Sequence, residues 1–246
     1  VDEGGLRHVF LSGVVGGRRG DGLGFPGQAA SMFRSAEAGL ERAGLAFRNA
    51  VRAWIHLADI GRDYADLNSA RRRFLATRGV DPPPASTCIG GSPDGFDRAC
   101  GLDIRAIGGA GALGVRALNA PTMNEAPTYG SDFSRGMRVD LAGRSVLYIS
   151  GTASIDDRGR VVHPGDIDGQ VDRMLLNIEA LLAGQKAGYA DVVCATTYLK
   201  KPGYAPAFRR VAGRRGFPAR IPNTLCQADV CRPEWLCEME VTAVLK

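Results

Sequence analysis

The chain has 246 residues, 45% of them hydrophobic and 23% charged, the proportions of an ordinary globular protein. That length holds one large domain or two smaller ones, each able to build a core without disulfides. No stretch reaches the ~18 consecutive apolar residues of a membrane span. Val1-Asp2-Glu3 is acidic with no apolar run behind it, so no signal peptide is expected. The first residue is Val rather than Met, which leaves open a natural beginning upstream of it. The net charge of +5 is too small to argue for nucleic acid, and all but four of the 31 basic side chains are arginines. Arg71-Arg72-Arg73 is the densest basic cluster; on an expected helix it reads as a solvated face. Six cysteines form no C-x-x-C pair, and His8, His56 and His163 stand near no cysteine pair, so no zinc site is expected. Neither is a cofactor or a membrane partner. Reduced thiols and a cytoplasmic location are the expectation.

Taken in chain order, the elements occur twice. The apolar run Val9-Phe10-Leu11 leads into Ser12-Gly13. A helix with Gln28 near its start follows, with a stripe at Ala29, Met32, Phe33, Ala36, Leu40 and Ala43. Next come a strand at Val51–Leu57, a helix over about 63–77 and a closing strand at Gly101–Ala106. Gly108-Gly109-Ala110-Gly111-Ala112 reads as a linker, with a short strand possible at Gly114–Leu118. Then the order repeats. Val146–Ile149 leads into Ser150-Gly151, and a helix begins near Gln170 with a stripe at Val171, Met174, Leu175, Ile178 and Leu182. A strand at Val193–Leu199, a helix over about 204–215 and a strand at Leu236–Leu245 complete it.

Identities at fixed offsets support this repeat. Gln28/Gln170, Met32/Met174, Glu37/Glu179, Leu40/Leu182, Val51/Val193 and Leu57/Leu199 are 142 residues apart, while Thr87/Thr224 and Cys100/Cys237 are 137 apart. The expected fold is α/β: two tandem βαβ units, 1–112 and 120–246, each a mixed sheet with two helices on one face.

The last strand carries the sharpest chemical signal. Alternation puts Cys237, Met239, Val241, Ala243 and Leu245 on one face, and Glu238 and Glu240 with Leu236, Thr242 and Val244 on the other. A carboxylate amid apolar residues is costly unless it is paired or functional. Desolvation and a like-charged neighbour would make it a proton donor near neutral pH. An ion pair with an arginine serves equally well, and the residues alone leave both readings open. In the first unit Gly101 stands at the place of Glu238 and Asp103 at that of Glu240, so only the second unit keeps both acids. If Glu240 and Asp103 are structural, Arg105 is a candidate partner. Gly20-Asp21-Gly22-Leu23-Gly24 lacks dinucleotide-loop spacing, and the chain has no Walker loop, G-x-S-x-G elbow or H-E-x-x-H.

Tyr148-Ile149-Ser150-Gly151-Thr152-Ala153, then Gln170 and Asn177–Leu182, Thr197-Tyr198-Leu199 and Cys237-Glu238-Met239-Glu240-Val241 resemble the RidA (YjgF-like) superfamily. The resemblance covers 131–246 and, more weakly, 6–107. Phe133-Ser134-Arg135-Gly136, His163-Pro164-Gly165-Asp166 and Asp229-Val230-Cys231-Arg232 resemble its two-unit subgroup, the chorismatases, which hydrolyse the enol ether of chorismate. The segment Ala85–Gly91 is more like generic relatives.

The resemblance implies the chorismate-mutase-like fold and a cofactor-free hydrolase or enamine/imine deaminase, with Glu238 as the acid. It makes Arg220, in Pro218-Ala219-Arg220, or Arg232 the clamp for a substrate carboxylate. It places Ser150, Gly151, Thr152, Phe133 and Cys231 around the ligand. The expected partners are a small anionic substrate and two further copies in a homotrimer, with no nucleic acid. A non-catalytic ligand-binding or regulatory protein, or an RNA-acting one, is the alternative.

Overall fold

The structure is a computed structural model and describes residues 1–17, 22–93, 98–111 and 113–246. Gly20 and Asp21 of the glycine run and Ala112 of the expected linker lie outside the described residues. In the first unit the strands are β1 (Asp2–Glu3), β2 (Leu6–Val15), β3 (Ala50–Leu57), β4 (Ala85–Gly90) and β5 (Cys100–Gly109), with helices α1 (Phe25–Arg42) and α2 (Ile60–Thr77). In the second they are β6 (Gly114–Leu118), β7 (Gly136–Leu141), β8 (Arg144–Ala153), β9 (Val192–Leu199), β10 (Asn223–Gln227) and β11 (Cys237–Leu245), with α3 (Ile167–Ala183) and α4 (Ala205–Arg214). Two sheets result, in the orders β1-β2-β5-β3-β4 and β10-β9-β11-β8-β7-β6. In each, one parallel pair, β3 with β4 or β9 with β10, accompanies antiparallel neighbours. This is the mixed two-unit architecture that the repeat predicts.

The helices form where the sequence supplies periodicity and caps. Asp59 accepts the Arg62 N–H at the start of α2, and Asp166 accepts the Gly169 N–H at the start of α3. α2 therefore begins three residues before the expected start. Met174, Leu175, Ile178, Leu181 and Leu182 of α3 are fully buried. At roughly 1.5–3 kcal/mol for each large apolar side chain, that stripe fastens the helix to its sheet. Gln28 and Gln170 sit in first turns. Gln170 donates to the His163 and Glu234 carbonyls and accepts the Leu236 N–H, tying α3 to the segment that leads into β11.

The first two residues of the expected linker, Gly108 and Gly109, continue β5 beside β2. β7, which the sequence reading left unassigned, pairs with both β6 and β8. The repeat holds at the level of hydrogen-bond register. Trp54 faces Asp103 across β3–β5, and Thr196 faces Glu240 across β9–β11. The irregularity between Leu11 and Val14 in β2 recurs in the second sheet, where Val241 faces Ile149 and Met239 faces Thr152.

The units meet through β4. Ala85 forms a parallel bridge with Ser134, and Ile89 an antiparallel one with Val230. Leu6, Val51, Ala85, Ile107, Met137, Val139, Val146 and Tyr148 form a buried apolar cluster drawn from both units. β4, an edge of the first sheet, thus lies against the second unit and roofs the start of its closing strand.

Candidate active site

Beneath that roof is an enclosed pocket. The second unit lines it with Glu238, Gly151, Ala153, Ile155, Phe133, Arg135, Cys231 and Trp235. The first unit contributes Tyr64 and Arg71 from α2 and Ser86 and Cys88 from β4. β11 alternates as expected: Cys237, Met239, Val241 and Ala243 are buried in the second unit's core, turning Glu238 and Glu240 to the other face.

The two acids meet different fates. Glu240 accepts from Trp54 Nε1 at 2.9 Å and pairs with Arg52 of the first unit at 2.5 Å. It is the structural ion pair, made with Arg52 rather than with Arg105. The Arg105 guanidinium instead lies over the rings of Phe10 and Tyr148, 4.7 and 5.1 Å from their centroids. Glu238 is 4% exposed, and no described residue donates a hydrogen bond to its carboxyl group. Burial first, and the negative charge of Glu240 second, push its pKa up to about 8; the positive charges of Arg52 and Arg135 oppose that rise. Its carboxyl lies directly against the Gly151 backbone. A Cβ on Gly151 would fall 1.9 Å from Glu238 Oε1, so any side chain there would displace the carboxyl.

Phe133 stands between two guanidinium groups, with Arg71 5.6 Å and Arg135 5.5 Å from its ring centroid. Arg135 is braced by its Nε bond to the Asn124 carbonyl at 2.8 Å. Arg71 reaches Asn68 Oδ1 at 2.5 Å, but among the described residues its buried Nε has no partner, nor has the Ser86 hydroxyl. Unpaired buried donors lining a cavity are what an anionic ligand would satisfy. Tyr64 lies 3.3 Å from Ser131 Oγ, and burial raises its pKa well above the ordinary phenol value. Cys231 is pushed up to about 12 by burial and by the charge of Glu238, so it is a thiol rather than a thiolate at neutral pH.

Of the residues singled out in the sequence, Glu238, Gly151, Phe133 and Cys231 converge here. Others take different places. Ser150 Oγ accepts the Ser86 N–H and donates to the Ser134 carbonyl. The Ser150 N–H is given to the Arg135 carbonyl and the Gly151 N–H to Thr87 Oγ1. Both backbone amides thus tie this step to β4 and to the residue before β7, leaving neither for a ligand. Thr152 is buried, its hydroxyl donating to the Ser150 carbonyl. Arg232 bonds the Gly159 carbonyl and lies over the Trp235 ring, bracing the loop before β11 rather than lining the pocket. Arg220 is exposed on the turn between α4 and β10 and is not among the lining residues. His163 is exposed too, its carbonyl accepting from Gln170.

Arg71, expected on a solvated face, lines the pocket instead. It is 4% exposed, whereas Arg72 and Arg73 are exposed. The signal was present: 67, 71, 74 and 75 fall on one helical face, and Leu67, Phe74 and Leu75 are apolar.

A family model described as endoribonuclease L-PSP matches residues 123–245, half of the chain. The chain belongs to this family, which is the RidA family of the sequence reading. Among curated proteins it is similar to the 3-aminoacrylate deaminase RutC of Acinetobacter baylyi, 28% identical over 100 residues, which are 40% of this chain and 79% of that one. Among solved structures it resembles a chorismatase with a TM-score of 0.75 at 23% identity, covering 97% of this chain and 73% of that one. The tandem fold therefore extends over the whole chain.

Proposed function

We propose that the protein is a hydrolase for a small carboxylate whose electron-rich C=C bond carries oxygen or nitrogen, an enol ether or an enamine. What carries this reading is a buried carboxyl group, its pKa raised to about 8, enclosed with two guanidinium groups and a hydroxyl that has no partner among the described residues. Glu238 donates its proton to the substrate carbon; the O–H bond breaks, a C–H bond forms, and the heteroatom stabilises the cation. Water adds to that cation and returns a proton to Glu238; the C–O or C–N bond then breaks, the proton of the new hydroxyl passes to the leaving heteroatom, and the alcohol or ammonia departs from the carbonyl so formed. The acid needs a pKa near the working pH, which burial supplies. Arg71 and Arg135 replace Arg220 and Arg232 as the clamp, because they line the pocket and a guanidinium fork suits a carboxylate. The names of the RutC relative and the chorismatase neighbour fit these two substrate types.

The test is a panel of carboxylated enol ethers, chorismate included, and 2-aminoacrylate-type enamines, with products followed by NMR. Turnover by the wild type and its loss in Glu238→Gln with retained binding is the expected result. Binding without turnover of any member would favour a ligand-binding protein. For assembly we propose the homotrimer of chains, supported by Phe10 of β2, which is 60% exposed in the single chain. Sedimentation at the mass of a single chain would overturn that.

A further inference from the structure

Arg52 reaches from β3 of the first unit to Glu240 on β11 of the second, beside the pocket rather than in its lining. Its guanidinium is 3% exposed on the side chain and lies over the Trp54 ring at 4.7 Å. Nη2 is shared between Glu240 and Thr87 Oγ1. Nη1 is buried with no partner among the described residues. Thr87 Oγ1 also receives the Gly151 N–H at 2.9 Å, and Gly151 is the backbone against which the Glu238 carboxyl rests. A continuous path of contacts therefore runs from Glu240 through Arg52 and Thr87 to the wall behind the acid.

Resting on the acid role given to Glu238 above, we propose that Arg52 is a positioning residue: the cation that sustains the Glu238 carboxylate between proton donation and proton return. When Glu238 protonates the substrate carbon it keeps the O–H electron pair, and a bare carboxylate is left in a buried site. Such an ion is costly without a positive neighbour. Arg52 is already buried, already charged through its pair with Glu240, and has one uncommitted nitrogen. Glu240 holds that charge in place and moderates it, so the carboxylate is neither so favoured that the proton is lost at rest nor so disfavoured that it cannot be given. The first unit, without a matching acid of its own, thereby supplies a working part of the second unit's chemistry.

The other groups facing Glu238 act on it as well. Glu240 on its own strand raises its proton affinity, and Arg135 at the start of β7 lowers it. Tyr198 on β9 stands directly opposite in the ladder, and Cys88, Cys231, Tyr64 and Arg71 close the pocket, all but Arg71 uncharged at neutral pH.

The experiment is a direct titration of the Glu238 carboxyl by 13C NMR of the full chain labelled at glutamate, with Glu238→Gln identifying the resonance. Glu240→Gln keeps the shape and leaves the Arg52 charge unopposed, so the midpoint should fall by about one pH unit or more. Adding Arg52→Gln to that variant removes the cation without stranding a buried carboxylate, and the midpoint should climb back by about as much. Arg52→Lys, which keeps the charge, should stay near the wild-type midpoint and secures the comparison if a Gln variant does not fold. A merely structural Arg52 would change the melting temperature and leave the midpoint the same in Glu240→Gln and in the double variant. An unchanged midpoint between Glu240→Gln and the double variant overturns the proposal. The titration needs no substrate, so a failure of the hydrolase reading, seen as absent turnover, is distinguishable from a failure of this one.

Discussion

The two units carry the same strand ladder and differ in what covers it. In both, the strand before the first helix leaves regular pairing at a Ser-Gly step, Ser12-Gly13 or Ser150-Gly151, beside the closing strand. In the second unit that step faces Glu238 and lies under β4 and α2 of the first unit. In the first unit no described element covers the equivalent step. Ser12 and Gly13 are exposed, and the Gly13 N–H is taken by Asp103 Oδ1 at 2.7 Å. The position of Glu238 is held there by Gly101, and its space is filled: a Cβ on Gly101 would lie 2.4 Å from Pro93 Cβ. Glu238 differs from an acid on an open strand because the first unit helps to remove it from water, and desolvation is the largest cause of its raised pKa.

Several substitutions would break or sharpen that contrast. The largest effect belongs to Glu238→Gln, which should lower turnover by ~10²–10⁴-fold, the usual worth of a general acid. Asp103→Asn in the first unit should leave turnover nearly unchanged; equal losses in the two would mean that both units work. Gly151→Ala should come close to the acid's own loss, because its Cβ must displace the Glu238 carboxyl. Gly13→Ala meets open space but must hold a φ of +66°, so a loss of about 1 kcal/mol in chemical denaturation with turnover intact is expected.

Arg71→Met should raise KM about 10- to 100-fold, the range of one lost charge-assisted hydrogen bond, while the exposed Arg73→Met does nothing. The smallest effect is on stability. The Glu238 pKa rises from 4.5 to about 8 on folding, so the folded state is penalised increasingly as pH climbs through that interval, and not at all below it. Relative to wild type, Glu238→Gln should therefore melt higher at pH 9 and equally at pH 4. Turnover itself should decline as pH passes about 8, where the acid loses its proton.

What the sequence determined by itself was everything carried by local periodicity and repetition. The offsets of 142 and 137 residues correspond to the register of β3 against β5 and of β9 against β11. Alternation along β11 turned Glu238 and Glu240 to one face before any fold was known. Periodicity states which way a side chain points within its element, and says nothing of what stands opposite. That was decided by the tertiary structure alone. It set Arg52 against Glu240 across the unit boundary and drew Arg71 into the pocket. It left Arg220 on an exposed turn, and turned the Ser150 and Gly151 amides toward Arg135 and Thr87. The pocket depends on β4 docking against the second unit, a contact between segments some 50 to 140 residues apart in the chain. Burial, and with it the protonation of Glu238, follows from that docking because the energy of a charge is set by the surroundings that displace its water.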